Sequence, residues 1–149
     1  MSTLNTPAAI PAATREVAEK SILPTLTFGN LKLLIIDDKK TRDRDATLRL
    51  GADGIDVLDG DNRLQTVSYR EVLGLYHSHS REPRWTTPDG NSTPVAKTTG
   101  KFGFLKGTPD WITVRTKRVF IPLRVREDDL TRLTGELESR TGSKVVTTK

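Results

Sequence analysis

The stretch that decides the fold runs from Thr47 to Leu75: Thr47-Leu48-Arg49-Leu50, then Gly51-Ala52-Asp53-Gly54-Ile55-Asp56-Val57, then Val67-Ser68-Tyr69-Arg70-Glu71-Val72 with Leu75 beyond. Leu48 and Leu50 alternate with Thr47 and Arg49, and Ile55 and Val57 flank Asp56. A period of two predicts short, half-buried strands. Between them lie Gly51-Ala52-Asp53-Gly54 and Asp59-Gly60-Asp61-Asn62. Their glycines tolerate the positive φ that tight turns demand, which predicts a turn at each. Val67 to Ser78 is the next apolar run.

Upstream, Leu31-Lys32-Leu33-Leu34-Ile35-Ile36 is bounded by Asp37-Asp38 and predicts a buried strand. The alternating charges of Lys39 to Asp45 predict a loop. Downstream, Pro83, Pro88, Pro94 and Pro109 break up residues 80–110. Thr87-Pro88-Asp89-Gly90 has the residues of a turn, and Trp85, Phe102 and Phe104 predict short strands. Trp111–Thr116 and Val119–Val125 predict a hairpin across Lys117-Arg118. Pro122 cannot donate to a ladder, so its strand is expected at an edge or bulged there. The period then changes. Leu130, Leu133 and Leu137 fall on one face of a helix over about residues 128–141. Glu127, Asp128 and Asp129 suit its start, with Asp128 as a capping residue, and Arg140 and Gly142 suit its end.

Short strands, the Gly-Ile-x-Val strand, the Val-Ser-Tyr-x-x-Val segment and a closing amphipathic helix resemble the pleckstrin-homology-like (PH-like) fold, in particular the bacterial PH-like domains. The resemblance implies a mainly β fold, a barrel of about seven antiparallel strands capped by the C-terminal helix. It assigns the domain to residues 28–142, between a flexible or partly helical tail at 1–27 and a C-terminal tail at 143–149. In the tail, Val17, Ala18 and Ile22 form one short apolar stripe. Lipid-binding members hold inositol phosphates with basic residues on and after the first strand. The matching positions are Lys32, Lys39, Lys40, Arg42, Arg44 and Arg49, but Asp37, Asp38, Asp43 and Asp45 interleave with them and would repel a phosphate.

A chain of 149 residues buries a core without staples, and zero cysteines exclude disulfides, thiolate metal sites and cysteine nucleophiles. No apolar run reaches the roughly 20 residues that span a bilayer. Residues 1–26 lack a charged start followed by an apolar core, so they do not read as a signal peptide. These features leave the compartment unknown, the cytoplasm slightly favoured and a signal upstream left open.

The net charge of +5 is unevenly spread: residues 81–126 carry ten Lys and Arg against three Asp and Glu, while the flanking segments are slightly acidic. Such a segment fits an anionic partner, or it decorates solvent-facing strands and loops. Lys97, Lys101, Lys106, Arg115, Lys117 and Arg118 are the candidate anion- or partner-binding residues, because they belong to a Gly-rich aromatic stretch or to the hairpin. His77 and His79, at i and i+2, put both imidazoles on one face, as a metal chelator needs. A third ligand is not evident; Asp37 and Asp38 are candidates by composition only. The alternative is a polar end to a strand.

No G-x-S-x-G, H-E-x-x-H or phosphate-loop motif is present. The expected function is therefore non-catalytic binding or scaffolding without a cofactor, chiefly of a protein partner or of a second copy through an open strand edge. Weak electrostatic binding of anionic lipid or nucleic acid through residues 81–126 is the alternative, and a metal-dependent enzyme at His77 and His79 a third possibility.

Overall fold

A computed structural model describes residues 24–37, 40–95 and 108–148. Strand β1 (Leu26–Asp37) and β2 (Lys40–Leu50) form a long hairpin. Strands β3 (Gly54–Asp59) and β4 (Asn62–Ser68) follow, then a single 3-10 turn at Tyr69–Glu71 and β5 (Gly74–His79). A small hairpin, β6 (Arg84–Thr86) and β7 (Ser92–Pro94), precedes β8 (Asp110–Arg115) and β9 (Phe120–Val125). Helix α1 (Glu127–Thr141) and β10 (Val145–Thr148) complete the chain.

Among the described residues, eight strands share one sheet in the order β10-β5-β8-β9-β1-β2-β3-β4, and β6 pairs with β7 in a second. The fold is mainly β with one C-terminal helix, as expected. The sheet differs from the expected barrel in two ways: it has eight strands, and it is not closed. Residues 145–148, read as tail, form β10 and pair in parallel with β5, on the edge that closure against β4 would use.

Alternation places one side of each strand inward. Leu31, Leu33, Leu48, Leu50, Ile55, Val57, Val67, Leu75, Ile112, Val114, Ile121, Leu123 and Val125 meet there, and Leu133 and Leu137 of α1 are fully buried against them. The outer side is covered in part as well. Trp111 packs with Leu34, and its indole N–H donates to the Ser80 carbonyl at 2.9 Å. At Gly54 an added Cβ would lie 2.4 Å from the Val67 carbonyl oxygen, so the close approach of β3 to β4 requires glycine.

Several local expectations change. Residues 40–45 are strand, because each pairs with a residue of β1 in the long β1–β2 hairpin. The run Val67–Ser78 is broken by the 3-10 turn. Pro122 is not at an edge: β9 lies between β8 and β1, but its ladder to β1 covers only Leu123 and Arg124 and stops before the proline. Arg126, not Asp128, is the N-cap of α1. Gly142 ends the helix in the left-handed region, at φ 78°, with its N–H donating to the Glu138 carbonyl at 3.0 Å. The tail at 1–27 falls outside the described residues as far as residue 23, as do Lys39, Phe102 and Phe104.

Candidate interaction surfaces

The two edges of the open sheet are unequally guarded. On β4 the register shifts between Val57 and Leu58, so Leu64 is an extra, bulged residue. Bulges twist an edge away from further pairing. Arg63 beside it is exposed and approaches Asp56 at 3.7 Å. On β10 the residues are Val145, Val146, Thr147 and Thr148, β-branched and uncharged. The Val145 N–H donates to Glu138 Oε2 at 2.8 Å, and Thr148 Oγ1 bonds Thr86 Oγ1 at 2.8 Å. These contacts fix the two ends of the strand. Val146, between them, is 43% exposed, and Thr147 is exposed.

A groove of about 530 Å³ lies where β1, β8, β9 and the start of α1 meet. One wall holds His79 and Asp110. His77 Nε2 and His79 Nδ1 both contact Asp110 Oδ1, at 2.9 and 3.0 Å. His77 and Asp110 continue the inward side of β5 and β8, opposite Ile112 and Val125 in the ladders. Burial works to raise the Asp110 carboxyl, but hydrogen bonds from the two imidazoles outweigh it and hold the pKa below its usual value. The sequence placed the histidines on one face and missed Asp110, which only the β5–β8 register brings beside them. Among the described residues, no group of three or more His, Asp or Glu side chains is placed to hold a metal ion. The side chains of Asp37 and Asp38 lie outside the description.

The other wall holds cations. Lys32 of β1 and Arg124 of β9 are direct partners across the ladder. Like charges facing across strands repel. Lys32 is relieved by Asp45, whose hydrogen bond raises the ammonium pKa against the opposing charge of Arg124. Arg124 has no ion-pair partner among the described residues. Arg126, on the same side of the chain, reaches Asp128 at 3.5 Å.

The described members of the predicted basic set are Arg115, Lys117 and Arg118, at or beside the β8–β9 turn. Lys97, Lys101 and Lys106 lie outside the described residues. Arg115 stacks over the Trp85 ring at 5.0 Å, in a cluster with Tyr76 and Phe120 that seats the β6–β7 hairpin on the sheet. Arg118 reaches Glu71 at 3.3 Å, and Lys117 is exposed at the β8–β9 turn. Of the positions suggested by the family resemblance, Arg44 pairs with Asp59 and Arg49 with Asp56, at 2.6 and 3.0 Å. Burial raises the Asp56 carboxyl, but Arg49, Thr66 and Arg63 together outweigh it and lower its pKa. Arg42 is exposed.

No helix among the described residues is long and apolar enough to cross a membrane. No protein-family model matches the chain, and no curated protein matches it. The chain is similar in fold to a chain in the structure of the Spt16D Pob3N heterodimer, with a TM-score of 0.53 at 10% identity. The match covers 84% of this chain and 54% of that one, so this chain spans about half the length of its match. At that identity the likeness is one of fold alone, and it agrees with a PH-like layout of strands followed by a closing helix.

Proposed function

We propose that the chain is a PH-like domain, of the bacterial type its sequence resembles, that serves as a non-catalytic protein-interaction module and takes its partner by strand addition at the β10 edge. The observation that carries this is the contrast between edges: β4 is bulged beside an arginine, whereas β10 offers four uncharged β-branched residues and an exposed Val146. An unguarded edge is a template for another strand. Similarity to a chain of a heterodimer agrees with partner binding. The test is capture of proteins from an extract of the native cells by the full chain and by Val146→Lys. Partners that bind the first and are lost with the second support the edge; identical capture overturns it.

A second use rests on a separate observation. Lys32 and Arg124 face each other beside the groove, which supports weak binding of an anionic lipid or nucleic acid there rather than at the β8–β9 turn.

A further inference from the structure

We infer that the strand added at the β10 edge is β10 of a second copy of this chain, the two copies being related by a two-fold axis through Val146. The inference rests on the edge-binding function proposed above and names its occupant. β10 is the terminal strand of the sheet, so among the described residues the backbone groups on its outer side have no ladder partner; the Val145 N–H, held by Glu138 Oε2, would exchange that carboxylate for the added strand. A two-fold perpendicular to the sheet makes two β10 strands antiparallel and keeps inner and outer sides in register. Residues then pair so that each contact is made twice. Centred on Val146, the exposed valine meets its own copy, Val145 meets Thr147, and Thr148 meets Lys144. Every pair but the last is β-branched, and no like charges oppose each other. β-branched cross-strand pairs stabilise a sheet, whereas facing like charges destabilise it. The same operation at β4 would bring together two bulged strands, whose extra residue obstructs a ladder.

The pairing joins two eight-stranded sheets into one. An edge of four residues is small against the roughly 1,200 Å² at which stable interfaces begin, so the expected dissociation constant is about 0.1–1 mM.

The natural absence of cysteine makes the test clean. Val146→Cys places the new thiols on the axis. Directly opposed Cβ atoms lie about 4.5–5.5 Å apart, close to disulfide reach. Under mild oxidation Val146→Cys is expected to give a covalent dimer as its main product, while Thr66→Cys on the β4 edge stays monomeric. In sedimentation the parent chain is expected to gain mass towards about 1 mM, and Val146→Lys to remain a monomer with an unchanged circular dichroism spectrum. Equal cross-linking at the two positions overturns the pairing, as does a parent chain that stays monomeric at the highest concentration. If Val146→Lys still loses a different captured protein, the edge function stands and the second copy falls. If it loses none, both fall.

Discussion

Tyr69 and Arg140 donate to one acceptor, the carbonyl oxygen of Gly51, at 2.6 and 3.0 Å. Arg140 also reaches the carbonyls of Leu50 and Pro24, at 3.3 and 2.6 Å, and pairs with Glu136 at 3.0 Å. Its side chain is 2% exposed. One guanidinium thus ties the last turn of α1 to the β2–β3 turn and to the chain entering β1. Only the planar fork of arginine serves three carbonyls and a carboxylate at once.

Arg140→Met should cost about 3 kcal/mol, because it leaves partly buried carbonyls without their charged donor. Tyr69→Phe should cost about 1 kcal/mol. The two losses should not add, since both act at the Gly51 oxygen. Chemical denaturation of the two single variants and the double variant checks this; a cost below about half a kcal/mol for Arg140→Met would make the clamp incidental.

Leu133→Ala should cost about 2–5 kcal/mol in the same assay, the range for a fully buried leucine. Thr134→Ala, one position on and only half-buried, should change stability by less than about half a kcal/mol. Similar losses at both positions would contradict a one-sided helix.

The helix was legible because Leu130, Leu133 and Leu137 repeat at its own period, and the β8–β9 hairpin because its two apolar runs adjoin. Local pattern carries that information. β10 was not legible: Val145–Thr148 is too short to show a period, and its partner β5 lies about seventy residues earlier in sequence. Arg140 has the sequence signature of a helix-end cation, and nothing local marks it as buried. The candidate site was less legible than the fold. Clustering of Lys and Arg along residues 81–126 does not by itself say which of them share a side, because alternate residues of a strand point to opposite sides. Arg115 turns to Trp85, while Arg124 meets Lys32 from a strand outside that segment.

Acid should weaken the junction of β5 and β8. The folded Asp110 carboxyl has a pKa below the ordinary 3.8. Its contribution to stability is therefore complete above the unfolded value and is lost as pH falls through the folded one. Asp110→Asn should cost about 1–2 kcal/mol near neutrality, and its deficit against the parent chain should shrink below about pH 4. Urea titrations at several pH values measure this. A deficit that grows on acidification would reverse the sign and remove the imidazole–carboxylate contacts as its cause.

Binding to acidic vesicles or to a single-stranded oligonucleotide separates the groove from the turn. Each phosphate contact on a single strand contributes about 0.7 to the slope of log affinity against log salt. Arg118 is already engaged by Glu71 and Arg115 by Trp85, so of the three basic residues at the β8–β9 turn Lys117 is the exposed cation with no ion pair among the described residues. In the groove, Arg124 stands opposite Lys32 with no carboxylate partner among the described residues, and an incoming anion relieves a repulsion already present. Arg124→Glu should therefore weaken binding at about 50 mM salt by roughly tenfold and flatten the slope between about 50 and 200 mM. Lys117→Glu combined with Arg118→Glu should weaken it by less than about threefold, although it reverses two charges rather than one. The opposite ranking would return anion binding to the turn, and tight binding indifferent to salt would remove electrostatics as its source.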